Sequence, residues 1–334
     1  MAGERESRGR VNPQRDTADM APPLIDPVPS GAARPLWSVM IPTFNCAEYL
    51  RQTLESVLAE DPGTDLMQIE VVDDCSTKDD PEAVVREIGK GRIAFYRKPQ
   101  NEGAIANFNS CIQRSRGNLV HILHGDDFVC PGFYTKVAEV ARQFGQVSLI
   151  ASRSFYVDEE SVITGVSERS RALELPSTDA AVFFYGNPLR TPGVVVRRAF
   201  YEAAGGFIPA LIHTADCEMW ARAVSQAGGV VITDPLVCYR VFAQNDTGRL
   251  VRTGENLRDL LRMGRCFERR FEGFDYELLK RTVADAARTQ ADNFRANGDA
   301  AAYRANIGLW NDLATPKMKL RRRGGQILKV ARVR

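Results

Sequence analysis

No stretch of this 334-residue chain approaches the roughly 18 consecutive apolar residues that a membrane-crossing helix needs. Its first twenty residues, MAGERESRGRVNPQRDTADM, lack the apolar core of a secretion signal. The seven cysteines (46, 75, 111, 130, 217, 238 and 266) include no Cys-x-x-Cys pair, so neither a zinc site nor a disulfide framework is expected. They read as small buried hydrophobes in a reducing compartment, which makes a cytoplasmic location the expectation. Two phosphate-binding devices are missing as well. No Gly-x-Gly-x-x-Gly follows the first apolar run, and no Gly-x-x-x-x-Gly-Lys-Ser/Thr occurs anywhere, which sets aside a dinucleotide-binding protein and a P-loop enzyme. A sugar-phosphate nucleotidyltransferase would need a glycine-rich basic loop after that first run, where NCAEYLRQ stands instead.

Charge is nearly balanced at +2 but unevenly spread. Residues 317–334, KMKLRRRGGQILKVARVR, hold eight Lys or Arg and no acid. Such a tail suits a solvated end or an electrostatic tether to anionic lipid, and the tether, on the inner face of the membrane, is the expectation. Residues 1–35 carry six of the 17 prolines without hydrophobic periodicity and are expected to be a disordered leader. Apolar runs at Trp37–Ile41, from Ile69, in RIAFYRK and from Leu119 read as strands, with Pro42 ending the first. Amphipathic segments between them, such as Ala47–Ala59, read as helices. Strand alternating with helix every 25 to 30 residues or so implies a parallel sheet with right-handed crossovers. From about Leu250 the periodicity is helical. The expected organisation is a leader (1–35), an α/β domain (36–248), a helical region (249–316) and a basic tail (317–334).

Three strand ends, PTFN, DDCS and HGDD, then converge on the edge where open α/β sheets bind ligands. In the last, an apolar run stops at Asp126 and Asp127. Adjacent carboxylates repel unless a proton or cation lies between them, and a hard divalent metal holding phosphate oxygens fits that place. A solvated loop accounts for the pair alone equally well. Without a glycine loop to hold pyrophosphate, a grip by Asp126 and Asp127 through Mg2+ or Mn2+ is the reading that the rest of the chain favours.

The ordered set P-T-F-N, V-D-D-C-S-T, N-E-G…N-F-N, G-N-L-V-H-I-L-H-G-D-D-F-V-C-P-G-F-Y, P-G-V-V-V-R-R-A-F-Y-E-A-A-G-G-F, T-A-D-C-E-M-W-A-R and C-Y-R-V-F resembles the inverting family-2 glycosyltransferases over residues 36–245 or so. The resemblance implies a GT-A fold, a Rossmann-like, mixed and mostly parallel α/β sheet flanked by helices, here with a C-terminal helical extension. It implies a nucleoside-diphosphate sugar donor, UDP-linked by preference, a carbohydrate or lipid-linked acceptor, Mn2+ or Mg2+, and a role in surface polysaccharide or glycolipid synthesis. No nucleic-acid partner is expected, and a homo-oligomer stays open.

Residue by residue, Pro42, Thr43, Phe44 and Asn45 match the loop under the nucleotide, with Phe44 the aromatic on which the base stacks. Asp74 matches the acid that reads the base edge; Asp73 is assigned to structure. Asn107 and Asn109 match the pocket lining, Asp126 the ribose or metal contact, and Asp127 the ligand of metal and diphosphate. Asp216 matches the catalytic base, with Glu218 in a supporting place and Trp220 in the core. Asn187–Val196 and the Gly205-Gly206 pair resemble the part that shapes the sugar pocket, where glycine admits close approach of substrate. The chain departs from the pattern at His124, where an acid is common and to which no metal role is given, and at Ala215, where Glu is common. Phe242 replaces a frequent histidine, leaving Arg240, Asn245 and Asp246 as groups to close over the phosphates. A non-catalytic nucleotide-sugar-binding protein is the alternative function.

Overall fold

The computed structural model describes residues 20–242, 246–316, 318 and 319. The elements in chain order are β1 (Trp37–Thr43), α1 (Ala47–Leu58), β2 (Met67–Asp73), α2 (Pro81–Gly89), β3 (Ala94–Arg97), α3 (Ala104–Arg114), β4 (Leu119–Ile122), β5 (Phe128–Val129) and α4 (Phe133–Gln143). Then come β6 (Leu149–Val157), β7 (Ile163–Val166), β8 (Val194–Arg197), α5 (Arg198–Ala204), α6 (Ala215–Ala227) and β9 (Gly229–Arg240), followed by α7 (Asp246–Thr253), α8 (Glu255–Arg270), α9 (Tyr276–Ala296) and α10 (Ala300–Leu313). The strands form one sheet in the order β3-β2-β1-β4-β8-β6-β9-β5, with β7 on β6.

β3, β2, β1 and β4 are parallel, as the strand–helix alternation requires. β8 then enters antiparallel between β4 and β6. Both faces of the sheet are covered, so β1 is apolar at successive positions instead of alternating with polar residues. Val39 and Ile41 join Leu50, Leu54 and Val71 on one face, whereas Met40 joins Val72, Val120, Ile122 and Trp220 on the other. A third set of contacts, Leu257, Leu279, Val283, Ala287 and Leu309, binds α8, α9 and α10 together. α8 also gives Met263, Cys266 and Phe267 to the main core, so the C-terminal helices share its packing.

Two expectations need correcting. Pro42 does not end β1, which runs on to Thr43. Its carbonyl accepts from Gly125 N, on the side where β4 has already stopped at Ile122, so no ladder partner there needs the missing N–H. The leader expected to be disordered is packed from Met20 onward. Met20 and Ile25 are buried, Gly206 N donates to Pro23 O at 2.8 Å, and Arg198 Nη2 donates to Asp26 O at 2.9 Å. Prolines at 22, 23, 27 and 29 restrict the unfolded chain, which lowers the entropic cost of laying this segment down. Residues 1–19 and most of the basic tail lie outside the described residues. Among the described residues no helix is long and apolar enough to cross a membrane.

Candidate functional site

The turn after β4 builds the first half of the site. Asp127 N donates to His124 O at 3.1 Å, which turns the side chains of residues 124 and 127 toward one another. Gly125 is dictated by space: a Cβ there would lie 2.9 Å from Cys46 Sγ and 3.0 Å from Thr43 Oγ1. The Thr53 hydroxyl, from α1, contacts Gly125 O at 3.1 Å and Asp127 O at 2.7 Å. Asp127 is 1% exposed. Its Oδ1 accepts from Arg240 N at 2.8 Å, and its Oδ2 has no hydrogen-bond donor among the described residues, with His124 Nδ1 at 3.4 Å. Burial and then the neighbouring Asp127 push the Asp126 carboxyl up to about 6. Burial opposes a charge on His124, but the carboxylates of Asp127, Asp126 and Asp216 outweigh it and raise the imidazole pKa. Ligand atoms of His124, Asp126 and Asp127 lie within 4.8 Å of one another. A buried carboxylate oxygen lacking a donor, beside a second acid, fits a divalent cation.

The second half is the start of α6. Asp216 stands in the first turn, half-buried in the wall of a cavity of about 630 Å³ that is also lined by Phe108, His124, Asn187, Thr191 and Tyr239. Its Oδ2 accepts from Asn187 Nδ2 at 2.8 Å and faces Thr191 Oγ1 at 3.4 Å, while Oδ1 accepts from Cys217 N at 2.7 Å. Burial raises this carboxyl above the ordinary range. Both oxygens are oriented, and the proton affinity is moved toward neutrality, as a general base requires. Glu218 is fully buried between Arg222 and Arg270 and holds α6 to α8. Trp220 is core.

Of the loop after β1, Phe44 alone projects freely, at 45% exposure. Pro42 and Thr43 are buried, with Thr43 Oγ1 2.8 Å from Cys46 Sγ. Asn45 has a left-handed φ of 52°, and its Oδ1 accepts from Thr77 N and Lys78 N at 2.9 Å each, so it ties this loop to the one after β2. Asp73 accepts from Ser76 N and from Arg97 Nε, which is a structural role.

Three nucleotide-side expectations, and one for the sugar pocket, are not what the geometry gives. The Asp74 carboxylate is buried and accepts from Glu102 N at 3.0 Å and Gly103 N at 2.8 Å, with Lys98 Nζ at 3.3 Å, so it anchors the N-E-G loop and is closed to a base edge. Asn107 is buried and donates to Val72 O at 2.8 Å. Asn109 clasps the Phe207 backbone, donating to its carbonyl at 2.9 Å and accepting from its N–H at 2.8 Å. Glycine at 205 and 206 admits protein, not substrate: a Cβ at 205 would lie 2.7 Å from Pro23 O, and one at 206 would run into Asn109 Oδ1.

Arg240 is likewise taken. It is buried, and it donates to Asp126 O (3.0 Å), Asp158 O (2.7 Å), Glu159 O (2.9 Å), Gln52 Oε1 (2.7 Å) and Ser161 Oγ (3.0 Å) over the Tyr49 ring. No hydrogen is left to close over a phosphate; Asn245 and the Asp246 side chain lie outside the described residues. Arg240→Met is therefore expected to lower unfolding free energy by about 3–5 kcal/mol, read from urea unfolding, because it removes five hydrogen bonds at once from the turn after β4 and the residues packed on it.

Sequence reasoning left His124 without a metal role and missed Asp259 altogether. His124 joins the acid pair, and the signal was its place three residues before Asp127. Asp259 of α8 is fully buried and accepts from His213 N and Thr214 N at 2.8 Å each and from Thr214 Oγ1 at 2.9 Å, fixing the chain just ahead of Asp216. Its only trace in sequence is an acid on the buried face of an amphipathic helix, between Asn256 and Met263.

The family model "Glycosyl transferase family 2" matches residues 38–202. An uncharacterized protein of Mycobacterium tuberculosis is 29% identical over 245 residues, 69% of this chain and 75% of that one. An uncharacterized glycosyltransferase of Mycoplasma genitalium is 26% identical over 215 residues, 61% of this chain and 67% of that one. Among solved structures, the mannosyltransferase PcManGT from Pyrobaculum calidifontis in complex with GDP-Man and Mn2+ superposes with a TM-score of 0.56 at 15% identity, over 95% of this chain and 86% of that one. S. aureus TarS 1–349 in complex with UDP gives 0.52 at 14% identity, over 84% and 92%. The chain spans 54% of the longer TarS structure, at a TM-score of 0.52. At these identities the superpositions speak for the fold, a mixed α/β sheet flanked by helices of GT-A type.

Proposed function

Because this chain belongs to glycosyl transferase family 2 and is a glycosyltransferase of GT-A fold that uses a nucleotide-sugar donor, we propose that it moves the sugar of a UDP-sugar, with inversion and with a divalent cation, onto an acceptor hydroxyl. One observation carries the reading. Asp216 and His124 line the same cavity, so the acidic turn after β4 and the carboxylate opening α6 address one pair of substrates.

The acceptor hydroxyl lies against Asp216, which takes its proton as the oxygen attacks the anomeric carbon. The bond from that carbon to the diphosphate oxygen breaks, and its electron pair leaves with the nucleotide. Asn187 and Thr191 hold the carboxylate in line, and Asp259 holds the helix start that carries it. Asp126 and Asp127 are the residues that would hold the cation, which supplies charge neutralisation at the departing diphosphate. Phe44 offers its open ring to the base. A second cleft of about 440 Å³ shares Tyr156, Asn187 and Arg190 with the first and adds Arg169 and Arg171, giving room for a carbohydrate or lipid-linked acceptor in surface polysaccharide or glycolipid synthesis. Peripheral contact with anionic membrane through the basic tail belongs to the same proposal.

Thermal-shift measurements with UDP-, GDP- and dTDP-sugars, with Mn2+ and with EDTA, test it. UDP-sugars are expected to raise the unfolding midpoint most, and only with the metal. Stabilisation by another nucleotide alone would overturn the donor, and undiminished transfer in EDTA would overturn the metal. Phe44→Ala is expected to weaken binding of the nucleoside diphosphate by about 5- to 150-fold, the range for losing one base–aromatic stack. Titration calorimetry reads this directly, since an exposed ring leaves the fold intact when removed.

A further inference from the structure

The turn that carries the acid pair presents an imidazole as well as two carboxylates. The His124 ring lies flat on Phe108, with centroids 5.1 Å apart and planes 13° apart, which fixes its orientation. Nδ1 stands 3.4 Å from Asp127 Oδ2, while His124 Nε2 and Asp127 Oδ2 are both buried without a hydrogen-bond partner among the described residues. The turn itself is held by Thr53 from α1 and by Arg240 from β9, so the side chains are positioned before anything binds. Two orphaned polar atoms on a rigid turn, within reach of a third donor on Asp126, form a mixed nitrogen–oxygen set.

We propose that His124 is a direct ligand of the divalent cation, and that its nitrogen makes the site select Mn2+ or Co2+ over Mg2+. This rests on the metal reading of the proposed function. The physical reason is ligand preference. Mg2+ demands oxygen donors in near-ideal octahedral geometry and gives up water reluctantly, whereas affinity for imidazole rises along the first-row divalent ions. An all-carboxylate turn, with an acid at position 124, would have no such bias.

The test is metal binding and spectroscopy on the full chain, independent of turnover. Isothermal titration with Mn2+, Co2+ and Mg2+ is run on wild type, His124→Asp and Asp127→Asn, and the Mn2+-loaded wild type and His124→Asp are examined by electron spin echo for modulation by a directly bound nitrogen. Wild type is expected to bind Mn2+ at least about tenfold more tightly than Mg2+ and to show the nitrogen modulation. His124→Asp is expected to lose the modulation and to narrow the Mn2+/Mg2+ ratio while still binding metal. Mn2+ bound without nitrogen modulation, or an unchanged ratio in His124→Asp, overturns the role of His124 and leaves the metal reading standing. No divalent binding by wild type, with Asp127→Asn indistinguishable from it, overturns both. If His124→Asp does not fold, the modulation in wild type decides alone.

Discussion

Asp216→Asn is expected to lower kcat by about 10²–10⁴-fold while donor and metal affinities stay at wild-type strength. The substitution keeps the shape of the side chain. An amide at 216 can still accept from Cys217 N through its oxygen, and the Thr191 hydroxyl can turn to accept from the new NH2 group, while Asn187 Oδ1 stays on Leu189 N. What disappears is the ability to take a proton from the acceptor. Stability should hold or rise, because an ionised group that burial disfavours is replaced by a neutral one. A structural role for Asp216 gives the opposite pattern: a lower unfolding midpoint and a modest loss of rate. Measuring kcat, donor affinity and the unfolding midpoint together separates the two.

The same carboxylate sets the expected pH dependence. Burial raises its pKa, so it stays protonated to a higher pH than an ordinary aspartate, and only the ionised form can act as base. The rate should therefore fall as pH drops through that raised pKa, and should rise toward a plateau above it. Asp216→Asn should flatten this limb of the profile. If the limb persists in the variant, another group titrates there and Asp216 is not the base.

How much of this was legible in the sequence divides by the range of the interactions. Apolar runs ending in acids announced the strand ends, and the pair Asp126 and Asp127 follows from a local pattern at the mouth of a strand, whereas Phe44 was singled out by the family resemblance. The partners of Asp74, Asn109 and Arg240 were not legible. Asp74 is satisfied by backbone amides 28 and 29 residues away, Asn109 by a backbone 98 residues away, and Arg240 by carbonyls and side chains 79 to 188 residues away. Main-chain partners carry no residue identity, so nothing in composition or spacing marks them. The glycines at 205 and 206 misled for the same reason: a need for close approach was evident, but the approaching groups were Pro23 of the N-terminal segment and Asn109 of α3. Asp259 shows that the C-terminal helices, read as a separate region, help to place the end of α6 that carries Asp216.

Asp127→Asn is expected to cut turnover by about 10³-fold or more, since losing several kcal/mol of charge stabilisation at the leaving diphosphate corresponds to that factor. Its effect on stability should carry the opposite sign to that of an ordinary buried-polar substitution. In the metal-free protein Oδ2 is a buried, unsatisfied acceptor beside Asp126, whose own carboxyl is pushed up to about 6 by burial and by this neighbour. An amide at 127 keeps an oxygen for Arg240 N, can aim its NH2 group at His124 Nδ1, and removes one of two adjacent negative charges. The metal-free variant should therefore unfold at the same temperature as wild type or higher. Added Mn2+ should raise the wild-type midpoint and leave that of Asp127→Asn unmoved. A carboxylate kept only for the fold predicts the reverse, a lower midpoint without metal and an unchanged response to Mn2+. The two alternatives differ in sign, so one pair of melting curves chooses between them, and Asp127 acts as a ligand only if the protein becomes less sensitive to metal without becoming less stable.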